Sequence, residues 1–145
     1  MNAGDASGGV LLDTCALIWL ANGDPLSSVS VGAIVEAGLG AGVFVSPISA
    51  WEIGLLSRPR AGRALQFLPD ATTWFARLMA APTIKPAVVN GELAIAASML
   101  PEPLHGDPAD RLLIATARHM AMPMVTRDSK IIGYGDAGHI QVIAC

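Results

Sequence analysis

Short apolar runs alternate with longer stretches of helical spacing along this 145-residue chain. Val10–Leu12, Val43–Val45, Met124–Thr126 and residues 141–144 have the length and apolar character of strands buried in a sheet. Residues 83–88 form a further strand, which Pro86 assigns to a sheet edge because proline cannot donate to the ladder. Between them lie helical patterns. Thr14 can cap a helix through Ala16–Leu20 that stops near Asn22-Gly23, with a turn at Asp24-Pro25. Residues 31–39 form a second helix. Ser49 opens a third, carrying Trp51, Ile53, Leu55 and Leu56, which Pro59 ends. Asp70 caps a fourth through Trp74, Phe75, Leu78 and Met79, residues 91–99 make a fifth, and Asp107 starts the longest, running to about Met120. Residues 129–132 make one further helical turn. Strands alternating with helices predict an α/β fold in which helices cover both faces of a mainly parallel sheet.

Residues 1–9 are a flexible lead-in without the cationic segment of a signal peptide, and 10–145 form one domain with no internal repeat or linker. Hydrophobic residues make up 52% and charged residues 14%, which excludes a disordered chain and leaves apolar surface for a second chain to cover. The net charge of −3 gives no global field for nucleic acid, so any such binding needs a local patch or a bound cation. Two separated cysteines, Cys15 and Cys145, suit a reducing cytoplasm, and no apolar run is long enough for a membrane span.

Four acids recur where the pattern changes from strand to helix: Asp13 in Leu11-Leu12-Asp13-Thr14, Glu52 in Ser49-Ala50-Trp51-Glu52, Asp110 in Asp107-Pro108-Ala109-Asp110, and Asp128 in Val125-Thr126-Arg127-Asp128. Each has an ordinary structural explanation. Ser49-x-x-Glu52 and Asp107-x-x-Asp110 have capping-box spacing, and Pro108 suits the first helical position. Asp13 and Asp128 lie at helix starts, where the macrodipole favours an anion. Asp110, however, shares a helix face with Ile114, Ala117 and Ala121, and a carboxylate on a core-facing stripe needs a partner. Four carboxylates at the carboxyl edge of one sheet would repel one another unless a hard cation held them. Taken singly, each acid is open to both readings.

The set Leu11-Leu12-Asp13-Thr14, Ser49-Ala50-Trp51-Glu52-Ile53, Asp107-Pro108-Ala109-Asp110-Arg111-Leu112-Leu113-Ile114-Ala115 and Val125-Thr126-Arg127-Asp128 resembles the PIN-domain nucleases, and within them the VapC-type toxins of toxin–antitoxin pairs. The resemblance spans nearly the whole chain. It implies a three-layer α/β/α sandwich and an endoribonuclease dependent on Mg²⁺ or Mn²⁺, with Asp13, Glu52, Asp110 and Asp128 as catalytic metal ligands. Thr126 and Thr14 would be supporting polar contacts, and Asp107 suits a cap better than a ligand. The resemblance also implies a homodimer and a small antitoxin whose tail covers the site. One departure is the segment Leu55-Leu56-Ser57-Arg58, where related sequences often carry a lysine one turn after the glutamate.

Candidate RNA contacts are Arg58, Arg60 and Arg63, the densest basic patch, and Arg111, Arg127 and Lys130, which flank the acids and suit a solvated surface equally well. His105, His119 and His139 lack zinc-ligand spacing. Trp19, Trp51 and Trp74 sit at helical apolar positions and are expected in the core or an interface, not as base-stacking platforms. Phosphoryl transfer through Asp13 as nucleophile is disfavoured by Cys15, which stands where dehalogenase-like phosphatases have a second aspartate. A PIN nuclease in RNA processing, or a non-catalytic PIN-fold binding module, remains as an alternative to the toxin.

Overall fold

A computed structural model describes residues 8–59 and 65–145. Most of the expected lead-in, and Arg60 and Arg63 of the basic loop, lie outside the described residues. Five strands, β1 (Val10–Leu12), β2 (Val43–Val45), β3 (Ile84–Pro86), β4 (Met124–Thr126) and β5 (Val142–Ala144), form one all-parallel sheet in the order β3-β2-β1-β4-β5. Seven helices connect them among the described residues: α1 (Thr14–Asn22), α2 (Ser28–Leu39), α3 (Pro47–Leu56), α4 (Ala71–Met79), α5 (Gly91–Ser98), α6 (Pro108–Met120) and α7 (Ser129–Asp136).

Successive strand side chains point to opposite faces, and this splits the core in two. Val10 and Leu12 of β1, Val43 and Val45 of β2, Val125 of β4 and Ile143 of β5 pack with Ala16 and Leu17 of α1, Ile34 of α2 and Ile53 of α3. On the other face Leu11 and Met124 pack with Leu93 of α5, Leu113 and Ile114 of α6, and Ile131 and Tyr134 of α7. The molecule is therefore a three-layer α/β/α sandwich. Pro86 lies in β3, at one edge of the sheet, as its missing N–H requires. No helix among the described residues is long and apolar enough to cross a membrane.

Several boundaries differ from the sequence expectation. The cap of α1 is Asp13, whose carboxylate accepts from the Ala16 amide, so Thr14 is the first helical residue. Ser27 caps α2, which therefore starts at Ser28 and not at residue 31. Helix α3 begins at Pro47 under the cap Ser46, because proline is preformed for the first helical position. Ser49 is thus inside the helix, Glu52 falls in its second turn, and the expected capping box does not form. Strand β3 is shorter than expected. Helix α7 continues past the single turn expected, through two glycines, because burial of Ile131 and Tyr134 holds it to the sheet. Gly135 is needed there: a Cβ at that position would come within 2.8 Å of Val142.

Candidate active site

The chain runs outward from β1 to β3 on one side of the sheet and returns to β4 and β5 on the other. β1 and β4 are neighbours whose connections diverge, and this switch point opens a crevice at their carboxyl ends. Asp13 directly follows β1 and Asp128 lies two residues after β4. The first turn of α6 brings Asp110, and the second turn of α3 brings Glu52. All four carboxylates line one cavity of about 460 Å³, together with Asp107. A larger cavity, about 850 Å³, lies by the C-terminus of α6 among Ala117, Ile132 and His139, where Asp136 is the one carboxylate. The acids gather in the smaller one.

The acids divide into those that cap and those that do not. Asp13 is buried; one oxygen accepts from Ala16 N–H at 2.8 Å and the other from the Thr126 hydroxyl. Thr126 is itself fully buried and accepts from the Asp128 amide at 3.1 Å, so one hydroxyl links the carboxyl ends of β1 and β4. Asp128 caps α7 through the Lys130 amide. Asp107 caps α6, accepting from Ala109 at 2.9 Å and Asp110 at 3.2 Å. Asp110 does not complete a capping box. Its carboxylate instead lies 3.4 Å from His105 Nε2, which is not aligned for a hydrogen bond and makes no other. Glu52 accepts from the Thr14 hydroxyl, which also meets Ser49 Oγ at 3.0 Å. Thr14 therefore holds Glu52 over the crevice.

Burial lifts the Asp13 carboxyl above the ordinary aspartate range, and repulsion from Asp128 and Glu52 adds to it against the Thr126 and Ala16 hydrogen bonds. Asp110 is pushed up to about 6, first by burial and then by Asp107 and Asp128, with His105 working in the other direction. These groups share an excess of negative charge that a divalent cation would relieve. Among the described residues no three of these side chains are already gathered into a coordination shell. The donor set nevertheless fits a hard divalent cation: all are carboxylate oxygens, and Glu52 and Asp110 are not spent on helix caps. Cys15 lines the same cavity, and its thiol is held above its ordinary pKa by partial desolvation there and then by Asp13, Glu52 and Asp128, which makes it a poor nucleophile.

The basic residues do not converge in the same way. Arg111 is committed to the fold. Its guanidinium donates to the carbonyls of Ala97, Ser98, Leu104 and His105 and pairs with Glu102, which withdraws it from the expected phosphate contact. Lys130 is exposed beside a neighbouring cavity with His105 and Tyr134, and Arg58 is exposed just past α3. Among the described residues, Arg127 is the one candidate that lines the acid cavity. Of the tryptophans, Trp74 packs edge-on against Phe67 with centroids 4.9 Å apart. Trp51 is 57% exposed, so it is not a core residue. Trp19 lines the acid cavity with Arg127, a placement that sequence reasoning missed. The available signal was its position one turn after Cys15 on the face that α1 presents to the site.

The Thr126 bridge predicts a specific outcome. Thr126→Val removes the buried donor to Asp13 and leaves the half-buried Asp128 amide without its acceptor, at a cost of about 2 kcal/mol, whereas Thr126→Ser restores most of it. Urea melts of the two variants measure the difference, and equal stability of the valine variant and wild type would show that the bridge contributes nothing.

The PIN domain family profile matches residues 10–136. Ribonuclease VapC22 of Mycobacterium tuberculosis is 32% identical over 123 residues, covering 84% of this chain and 88% of the relative. Among solved structures, VapBC2 from Rickettsia felis bound to a DNA fragment from its promoter aligns at a TM-score of 0.65 with 13% identity, covering 94% of this chain and 98% of that one. FitAB bound to the IR36 DNA fragment aligns at 0.58 with 19% identity, over 93% and 94% of the two chains. The chain belongs to the PIN-domain family, and a VapC ribonuclease is its relative across most of its length.

Proposed function

We propose that the protein is a metal-dependent endoribonuclease, acting in the cytoplasm as the toxin of a toxin–antitoxin pair. The observation that carries the reading is the meeting of Asp13, Glu52, Asp110 and Asp128 in one cavity at the switch point of the sheet. The relative named a ribonuclease supports the reaction, and the likeness to VapBC and FitAB complexes supports a protein partner.

When bound, Mg²⁺ or Mn²⁺ supplies Lewis acidity toward the phosphodiester and makes a nucleophilic water accessible near neutral pH. Asp13 and Asp110 are the principal holders of the cation, with Asp128 and Glu52 completing the set directly or through water. Thr126 fixes the rotamer of Asp13, and Thr14 fixes that of Glu52. The products carry 5′-phosphate and 3′-hydroxyl ends. A homodimer and an antitoxin would cover apolar surface such as the stripe Val31, Val35 and Leu39 on α2, which is 45%, 58% and 87% exposed.

Incubation of purified protein with a structured RNA tests the proposal. Cleavage is expected with Mg²⁺ or Mn²⁺ and none after chelation. Metal-independent cleavage, or an inert protein with both ions, would refute it.

A further inference from the structure

Trp19 and Arg127 form a built feature on the wall of the acid cavity. The Arg127 guanidinium carbon lies 3.9 Å from the centroid of the Trp19 ring, so the cation sits on the indole face. Two hydrogen bonds hold it there: Nε donates to the Cys145 carbonyl at 3.0 Å and one terminal nitrogen to the Pro25 carbonyl at 3.3 Å. The segments it grips are tied to each other as well, because Ser27 donates to the Ala144 carbonyl at 2.8 Å. Arg127 is nevertheless exposed, and it lines the cavity beside Asp13 and Asp128. A free arginine that only attracted phosphate would gain nothing from being immobilised on a ring. A planar cation fixed in this way offers a flat outer surface with its ordering cost already met.

We propose that the Arg127–Trp19 pair is a stacking platform for one unpaired nucleobase of the RNA, adjacent to the scissile phosphate. The assignment rests on the ribonuclease reading above. Single-stranded bases bind proteins by stacking on aromatic rings and on guanidinium planes. A platform beside the acids fixes the register of the strand and requires an unstacked base at one position. It also gives Arg127, the candidate basic residue at the cavity among the described residues, a role that its immobilisation suits.

The test uses the full chain carrying Asp110→Asn, so that bound RNA is not consumed, and short single-stranded RNAs with 2-aminopurine moved along the sequence. Quenching of the base analogue is expected at one position, and an abasic nucleotide there should weaken binding about tenfold. Adding Trp19→Leu or Arg127→Lys should abolish the quenching and make intact and abasic RNA bind alike; the lysine keeps the charge and loses the plane. In the otherwise wild-type chain the same abasic substitution should lower kcat/KM for cleavage. Absence of quenching at every position, or an equal loss for intact and abasic RNA in both variants, overturns the platform. If RNA is cleaved with metal but without base dependence, the platform alone fails. If RNA is neither bound nor cleaved, the ribonuclease reading fails with it.

Discussion

Asp110→Asn is expected to abolish metal-dependent RNA cleavage while making the metal-free protein more stable. The two effects have one cause. In the folded chain burial and the neighbouring Asp107 and Asp128 carboxylates raise the Asp110 pKa to about 6 from 3.8. The folded state therefore holds that proton more tightly than the unfolded chain. Stability is present in full below the unfolded value and is lost as pH rises through about 6, so at pH 7 the ionised group is a liability. An uncharged amide removes it. A shift of this size on a side chain 22% exposed to water is worth on the order of 1 kcal/mol after screening. Activity moves the other way, because loss of a ligand forfeits several kcal/mol of transition-state stabilisation, roughly 10²–10³-fold in rate. Asp13 separates the roles further. Asp13→Asn keeps an acceptor for the Ala16 amide and should retain most of the stability while losing cleavage. Asp13→Ala loses the cap as well, at about 1–2 kcal/mol. If Asp13 were a cap and nothing more, the asparagine variant would cleave like wild type.

The second large effect is the response to divalent cation. If Mn²⁺ or Mg²⁺ binds the folded chain and not the unfolded one, as proposed, saturating metal should raise the melting temperature of wild type by several degrees at pH 7.5. The rise should shrink as pH falls through about 6, because protons then compete for Asp110. Asp110→Asn should melt at nearly the same temperature with and without metal. A wild-type response that is equally large at pH 5 would mean that the ion binds elsewhere.

Much of this arrangement was legible in the sequence because it is local. A short apolar strand followed by an acid is visible in Leu11-Leu12-Asp13 and in Val125-Thr126-Arg127-Asp128, and both acids sit at the crevice. Asp107 before Pro108 announces a cap, and it caps. The start of α3 was not legible, because Ser46-Pro47 and Ser49 both carry helix-start chemistry and only the register of the chain leaving β2 selects the first. That three-residue shift of the cap, from Ser49 to Ser46, moves Glu52 from a capping position to one where Thr14, 38 residues away in sequence, holds it. Arg111 was misread for a similar reason. Its position beside Asp110 in sequence suggests a phosphate contact, but the carbonyls of Ala97 and Ser98 at the end of α5, with Glu102, Leu104 and His105 of the following loop, take up its donors. The stacking of Arg127 on Trp19 joins residues more than a hundred positions apart, which no periodicity reports.

We propose that the four acids make one cation-dependent site and not separate structural acids. Calorimetric titration of MnCl₂ into the metal-free protein and into Asp110→Asn, without RNA, tests it most directly. Saturable binding to wild type at pH 7.5, weakened at least tenfold in the variant, is the predicted result. Equal binding to both proteins, or none to wild type, would contradict it.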